Sequence, residues 1–492
     1  MEFNSYTFIL AFMPAVVFLY YLLNLLHRRI GTWFFIVASM FFVGYADEKA
    51  LYFMLLSMAF TYVLAILQRC VNKKRIISKV VLAMGVIVHV VILAIFKYTS
   101  FIVINMNRFF LLDVTFETLW VPIGISFMTF QQIAFLVDVY RGKITKLVLT
   151  DYVFYITFFP KLVQGPITDY IELTQQLYDK SRRYPNAEHI ACGLWFFSVG
   201  LAKKVLIADV FAGAVSWGYD YAAGELTSME AILAMLCFTL QIYFDFSGYS
   251  QMAIGLGKLL NITLANNFDA PYRAITISDF WKRWHISLTS FFRMYLYFPL
   301  GGSRKGKART YVNTMIIFVV SGLWHGASWS FVVWGALHGV AMCIDKWLKS
   351  IVPPIRYGKR VVQGFSWLFT FILVNLLWVF FRAPSLNYAL SFLGKIFCMD
   401  SFTVRDEFFA SFEISEFSYL AGKLSWFAAI LERVQGLEML IFLGIAFVIA
   451  ICNKEKWEQF RPTLLRSIGA MIFLLWSVIS LSHVSSFIYG SF

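Results

Sequence analysis

Long apolar runs separated by short polar stretches recur along the whole chain. A helix needs about 20 residues to cross a bilayer, and several runs approach that length, while the shorter ones need extension at their ends. The runs lack the strict alternation of barrel strands. Seven that contain no Asp, Glu, Lys or Arg are residues 6–26, 51–67, 80–96, 231–244, 365–381, 439–451 and 467–481. The pattern predicts an all-α polytopic membrane protein.

Composition and charge support this interpretation. Of the 492 residues, 60% are hydrophobic and 14% are charged, whereas soluble domains average about 25% charged residues. A soluble fold of this size would lack the polar side chains to cover so much apolar surface. The 42 Lys and Arg against 28 Asp and Glu give a net charge of +14. Because the cations lie between apolar runs, they indicate cytoplasmic loops and argue against a nucleic-acid partner.

The charged loops predict how the chain crosses the membrane. We expect no cleavable signal peptide, because the first residues carry Glu2 and no basic segment, and the first apolar run is long enough to span. The basic loop that follows this run would place the N-terminus outside. Alternation then puts basic loops inside at 27–29, 73–79, 356–360 and 454–466, and acidic segments outside at 113–117 and 400–416.

We interpret residues 1–492 as one transmembrane domain with a chemically richer region at 119–349. This region is dense in Gly, Trp, Tyr, His and isolated charges. Polar groups inside a membrane are costly, so function is expected there. Near the C-terminus, residues 417–436 look amphipathic and would either lie along the membrane surface or dock a partner. The six cysteines show no CxxC pair, which predicts neither a disulfide framework nor a zinc site.

His325 stands between two strongly apolar segments, in the stretch SGLWHGASW. On a helix, the residues that share its face are Ser321, Gly322, Ser328 and Trp329. Glycines four residues apart surround it and let helix backbones approach closely. The sequence therefore places His325 at a tight helix junction, at the far end of the first of two crossings or within a broken helix. A histidine that hydrogen-bonds a serine for packing alone is the alternative, and we interpret His338 in that structural way.

A second histidine, His285, lies in the stretch TISDFWKRWHISLTSFF. Either Asp279, or Thr276 with Asp279 three residues later, is expected to cap a helix that carries Trp281, Trp284 and His285 on one side. No acid occurs between residues 280 and 344, but this region contains the cations Lys282, Arg283, Arg293, Arg304, Lys305, Lys307 and Arg309. They either anchor the protein to anionic lipid or hold a polyanionic cofactor, such as one with phosphates.

Asp245 marks a third polar cluster, in QIYFDFSGYSQMAIG. A carboxylate after an apolar run either forms a structural ion pair with a Lys or Arg or contributes to a site. The chain contains no GxSxG, Walker or HExxH motif, so serine-triad, P-loop and zincin chemistry have no local signature. No metal is expected.

Four stretches of this region, with SGLWHGASW, resemble the membrane-bound O-acyltransferases and, within them, the bacterial alginate-O-acetyltransferase-like branch. The first two are VPIGISFMTFQQIAFLVDVYRG (121–142) and FFPKLVQGPI (158–167). The others are YFDFSGYSQMAIGLG (243–257) and FWKRWHISLTSFFRMYLYFPLGGSR (280–304). Together they cover roughly residues 120 to 345, and their shared order makes the resemblance specific.

The resemblance implies about eleven transmembrane helices plus re-entrant segments around a funnel. It implies that His325 is catalytic and that His285 matches the second histidine frequently noted in the family. The donor would be acetyl-CoA or an acyl-carrier thioester, at the cytoplasmic face of a bacterial cytoplasmic membrane. The acceptor would be a polysaccharide outside, served by an extracytoplasmic SGNH-type partner. Two positions depart from the family, which often has acids where Met294 and Gln251 stand.

The chemistry expected of these residues is general-base acyl transfer. A neutral His325 would take the proton of an attacking hydroxyl and return it to the leaving thiolate. Ser321, Trp324 or backbone amides are candidate oxyanion donors. His285 would be a second base, a proton relay or a positioning group, and we favour positioning. Lys282, Arg283 and Arg304 would meet donor phosphates at the inner mouth, and Asp245 is a weaker candidate for binding. Rival functions are D-alanyl transfer to teichoic acid from a carrier protein, and a channel, flippase or assembly scaffold.

Overall fold

The computed structural model is built from helices, and no strand occurs in the part of the chain that it describes. The described residues are 1–71, 74–117, 119–221, 225–351, 360–412, 419, 421–426, 428, 436–452, 457–483 and 487–488. Several positions used in the topology prediction lie outside this set: Lys73, Arg356, Lys359, Lys454, residues 413–416 of the acidic segment, and most of the amphipathic stretch 417–436.

The described part of the first half of the chain forms ten α-helices. After a π-helical turn at Thr7–Phe12 come α1 (Met13–Leu26), α2 (Arg28–Ala46), α3 (Glu48–Cys70), α4 (Arg75–Phe110), α5 (Ile125–Tyr140), α6 (Leu149–Thr157), α7 (Phe159–Leu162), α8 (Tyr170–Tyr178), α9 (Ala187–Ala202) and α10 (Asp209–Ser216). The π-helical segment Lys203–Ala208 joins α9 to α10 without a loop.

The described part of the second half adds ten more. They are α11 (Ser228–Leu259), α12 (Ile277–Arg283), α13 (Ile286–Phe292), α14 (Lys307–His325), α15 (Trp329–Ile351), α16 (Arg360–Arg382), α17 (Leu386–Cys398), α18 (Asp406–Ala410), α19 (Leu437–Cys452) and α20 (Leu464–Ile479). The segment Arg293–Tyr297 after α13 is π-helical.

The predicted all-α polytopic architecture is confirmed. Among the described residues, eight helical segments are long and apolar enough to span a membrane, and four shorter apolar helices accompany them. Each of the seven charge-free runs lies within or largely within one of these helices. Three of the eight spanning segments contain none of these runs: α2, the segment Ala187–Asp220 and α15, whose most apolar windows have mean hydropathies of 1.4, 1.7 and 1.2.

Two helices show how the bundle is layered. The most apolar 18-residue window of α4 is only 17% buried, whereas that of α11 is 78% buried. A long apolar helix that leaves most of its surface uncovered is suited to lipid, so α4 lies at the edge and α11 at the centre. Backbone contact between α9 and α11 makes this centre tight: a Cβ on Gly200 would lie 2.5 Å from the Gly248 carbonyl oxygen. Only glycine permits so close an approach.

Candidate functional site

The junction between α14 and α15 places His325. α14 ends at this residue, and Gly326 continues in an extended conformation with φ −168°. The two helices pack so closely that a Cβ on Gly322 would lie 2.2 Å from the Phe331 carbonyl oxygen. The predicted tight junction is therefore present, with His325 at the C-terminal end of α14. Among the described helices, α14 is not one of the eight segments long and apolar enough to span a membrane. Because the helix stops there, Ser328 and Trp329 do not share a helix face with His325, contrary to expectation.

Helix α4 caps the end of α14. The hydroxyl of Tyr98 donates to the Leu323 carbonyl. The Lys97 ammonium donates to the carbonyls of Trp324 at 2.6 Å and His325 at 3.1 Å. These carbonyls belong to the last turn of α14, which has no further helical N–H groups to satisfy them. A cation at this position also complements the negative end of the helix dipole.

Aromatic rings surround the His325 imidazole. The ring centroids of Trp324, Trp334 and Phe381 lie 4.8, 5.2 and 5.1 Å from it, all in steep edge-to-face orientations. Only 4% of the residue is exposed. Such a setting disfavours a charged imidazole, because apolar walls solvate charge poorly. The ring is therefore held in its neutral form, which has the nitrogen lone pair that a general base needs.

His325 also lines a cavity of about 390 Å³. The loop that leads into α5 and the first turn of that helix, residues 121–127, also line this cavity, together with Lys97, Val163, Trp324, residues 326–328 and Phe331. Gly124 has φ +73°, which lets this loop turn beside the end of α7. A Cβ on Gly124 would lie 3.1 Å from the Leu162 carbonyl oxygen. Three of the sequence stretches that are far apart in the chain thus meet around one imidazole.

The sequence predicted that His285 lies within one helix. In the structure, it lies instead between two helices, α12 and α13. Thr276 caps α12 as expected, accepting from the Asp279 amide at 3.2 Å. The helix ends at Arg283, and His285 adopts a left-handed conformation with φ +44° before α13 begins. The predicted grouping of Trp281, Trp284 and His285 on a single helix face is therefore wrong.

Asn267 fixes the protonation pattern of the His285 ring. Its Oδ1 accepts from the Ser287 amide at 3.2 Å and from the Ser287 hydroxyl at 2.9 Å. It also lies 3.1 Å from Nδ1 of His285. An oxygen that already accepts from an amide can only accept again, so Nδ1 donates and Nε2 of the neutral ring carries a lone pair. That Nε2 makes no hydrogen bond to any described residue.

His285 and His325 lie close enough to interact electrostatically, but they do not line the same cavity. His285 does not line the 390 Å³ cavity, and Phe246 packs edge-on against its ring at 4.7 Å. His285, Lys97 and His338 all lie close enough to His325 to interact with it electrostatically. His338 itself accepts a hydrogen bond from the Trp281 indole at 3.3 Å, which gives it a packing partner.

Ser321 opens onto a second cavity. It lies one turn before His325 on α14 and lines a space of about 170 Å³ together with Arg293, Tyr297 and Lys346. Lys346 donates to Thr314, also on this wall, at 2.6 Å. Trp324 lines the larger cavity instead. The two candidate oxyanion donors thus line different cavities.

The predicted phosphate-binding cations do not form one group. Lys282 and Arg304 are exposed and line neither cavity. Arg283 forms ion pairs with Asp279 at 2.9 Å and with Asp269 at 3.9 Å. Arg293 is the member of the basic region that reaches a cavity wall.

Asp245 is held in a buried ionic cluster. Its Oδ1 lies 2.9 Å from the Lys204 ammonium, and both side chains are 1% exposed. Its Oδ2 accepts from the Ile488 amide at 3.0 Å. Lys204 also contacts Asp209 at 2.8 Å. These contacts favour the structural interpretation of Asp245, although the cation comes from the segment after α9 and not from the basic region.

The two departures from the family pattern lie in different surroundings. The backbone carbonyl of Met294 accepts from Arg141 at 3.2 Å, a contact that does not depend on its side chain. Gln251 is buried beside a space of about 20 Å³ that Asn267 also lines. Within the described residues, no group of three His, Cys, Asp or Glu side chains could hold a metal ion.

Sequence reasoning missed Lys97 and Asn267. Lys97 directly follows the apolar run 80–96, so it looked like the end of a span, but α4 continues to Phe110. The signal was available, because a lysine inside a spanning helix indicates function. Asn267 lies in an irregular segment between α11 and α12, where no periodicity reveals what a side chain contacts.

Comparison with known proteins adds an independent line of support. A model of the membrane-bound O-acyltransferase family matches residues 33–390. Peptidoglycan O-acetyltransferase of Helicobacter pylori is 37% identical over 420 residues, which cover 80% of this chain and 79% of the relative. Probable alginate O-acetylase AlgI of Pseudomonas aeruginosa is 35% identical, with 79% and 73% covered. Teichoic acid D-alanyltransferase of Streptococcus thermophilus is 26% identical, with 46% and 57% covered.

Proposed function

Because this chain belongs to the membrane-bound O-acyltransferase family, we propose that it transfers acetyl groups from a cytoplasmic thioester to an extracytoplasmic polysaccharide. It is a multi-pass membrane protein and an acyltransferase. The O-acetyltransferase relatives match more of the chain at higher identity than the D-alanyltransferase does. That difference favours acetyl transfer over D-alanyl transfer, which shares the same family.

The observation that carries the proposal is the placement of His325. A buried imidazole at the end of a helix lines a 390 Å³ cavity with the loop before α5. A packing histidine has no need of a cavity, and a channel has no need of a base.

In the proposed reaction, His325 acts as general base and then as general acid. It takes the proton of the acceptor hydroxyl while the hydroxyl oxygen bonds to the thioester carbon. The tetrahedral intermediate collapses, the carbon–sulfur bond breaks, and the thiolate takes the proton back from His325. General-base assistance of this kind typically contributes about 10²–10⁴-fold in rate. Holding both reactants in one enclosed space contributes the remainder.

The two cavities suggest separate routes for donor and acceptor. Ser321 and His325 are four residues apart on α14, so the 170 Å³ and 390 Å³ spaces approach each other along one helix. Arg293 and Lys346 at the smaller space suit the phosphates of a CoA or carrier thioester. The exposed Lys282 and Arg304 would add attraction at the surface. The donor would enter past Ser321, and the acceptor would approach from the larger space.

His285 has the geometry of a positioning residue. Its fixed Nδ1–H and its Nε2 lone pair suit it to orient a hydrogen-bonded group near His325. The wider setting of the proposal is the bacterial cytoplasmic membrane, with the N-terminus outside. An SGNH-type partner outside the membrane would complete transfer to the polysaccharide, and no metal takes part.

The test uses inverted membrane vesicles from cells in which a variant is the sole copy. Radiolabelled acetyl-CoA is supplied to the cytoplasmic face, and base-labile label in the polysaccharide fraction is measured. His325→Ala should abolish transfer while the protein remains folded. His338→Gln is the matched control, because it is a buried histidine that lines neither cavity, and it should retain transfer. Normal transfer by folded His325→Ala would overturn the enzymatic proposal and favour a channel, flippase or scaffold.

A further inference from the structure

One cation shares the cavity with His325. Among the described residues that line the 390 Å³ space, Lys97 is the one lysine or arginine. We propose that Lys97 is a catalytic residue, which donates a hydrogen bond to the thioester carbonyl oxygen and stabilises the negative charge that develops there. This inference rests on the proposed function and adds the electrophilic half of the site.

The contacts of Lys97 leave it both fixed and charged. Its ammonium has three N–H donors, of which two are used by the carbonyls of Trp324 and His325. These partners are neutral, and no carboxylate of a described residue forms an ion pair with Lys97. By contrast, Lys204 contacts two aspartates. Lys97 therefore brings a net positive charge and one remaining donor to the cavity.

The position of this charge matches the chemistry. As the hydroxyl oxygen bonds to the thioester carbon, the carbonyl π electrons move to the oxygen and the hydroxyl proton moves to His325. The oxyanion then lies beside the ammonium. When the carbonyl re-forms, the thiolate leaves and takes the proton from His325, and Lys97 is unchanged. Preorganised donors in a space shielded from water stabilise such an oxyanion far more than solvent would.

The neighbouring tyrosine separates this role from simple helix capping. Tyr98 donates to the carbonyl of Leu323, in the same last turn of α14. It does not line the cavity. If Lys97 served only as a cap, removing either residue would loosen the same helix end and would reduce transfer to a similar degree.

The experiment compares Lys97 and Tyr98 variants in the vesicle assay with radiolabelled acetyl-CoA. Lys97→Met should lower kcat by about 10²–10³-fold, the usual effect of removing one oxyanion donor, with little change in KM. Lys97→Gln keeps donors for both helix carbonyls but lacks the charge, and it should be as impaired as Lys97→Met. Lys97→Arg should recover part of kcat. Tyr98→Phe should remain close to the unaltered protein.

The outcomes distinguish this inference from the proposed function. Lys97→Met or Lys97→Gln with kcat no lower than that of Tyr98→Phe would overturn the role of Lys97, while an inactive His325→Ala would leave the general base in place. Normal transfer by His325→Ala, or no transfer by the unaltered protein, would overturn the proposed function and the role of Lys97 with it. If Lys97→Met fails to fold, Lys97→Gln decides, since it preserves the cap.

Discussion

Two buried polar centres of this protein differ in what surrounds them. Around Lys204, one ammonium pairs with two carboxylates, Asp209 and Asp245, and the Ile488 amide donates a hydrogen bond to Asp245. Around His325, the walls are aromatic rings and the ring faces a cavity of about 390 Å³. The first centre is filled with protein partners, as an element of folding requires. The second leaves a space beside the imidazole, which supports the proposed role of His325 as a general base.

The largest effect that would test this contrast is the removal of Lys204. Lys204→Met leaves Asp245 buried without its ammonium, and breaking a buried pair in this way costs about 3–5 kcal/mol. We expect poor yield and a sharply lowered melting temperature in detergent, and Asp245→Asn added to Lys204→Met should recover part of it. A Lys204→Met protein that melts normally but transfers no acetyl group would move this centre into the catalytic machinery.

A second set of variants tests whether His285 positions reactants or only packs against its neighbours. Asn267→Ala removes the acceptor that fixes the ring, a hydrogen bond worth about 0.5–1.5 kcal/mol. If His285 positions reactants, Asn267→Ala and His285→Ala should each slow transfer, and the double variant should be no slower than His285→Ala. The measurement is initial transfer rate in vesicles together with the melting temperature. Lowered melting with unchanged transfer would make His285 a packing residue.

The smallest effect concerns exposed cations. Arg304→Glu with Lys305→Glu should weaken donor binding by about 0.2–1 kcal/mol per charge, the usual range for exposed pairs, and added salt should diminish the difference. Arg293→Glu, at a cavity wall, should raise the KM for acetyl-CoA more. Unchanged KM in the Arg304 and Lys305 variant would assign these residues to lipid anchoring.

The sequence predicted the helical membrane architecture because that prediction depends on local composition. A run such as 80–96 is apolar whatever it packs against, and the bilayer alone requires it to be helical. The runs omit α2 because local composition alone does not identify it. Its glycines and polar residues are tolerated only where neighbouring helices cover them. Gly31, for instance, lies against the side chain of Asn24.

The sequence also singled out His325, because an imidazole in an apolar stretch is unusual at any depth. It could not show that α14 ends at that residue, that α12 and α13 are separate, or that Asp245 pairs with Lys204. Those facts depend on contacts between residues far apart in the chain, 41 positions apart for Lys204 and Asp245 and 228 for Lys97 and His325. Apolar periodicity and the bilayer determined the helices; close packing at glycines and the satisfaction of buried polar groups decided which side chains meet.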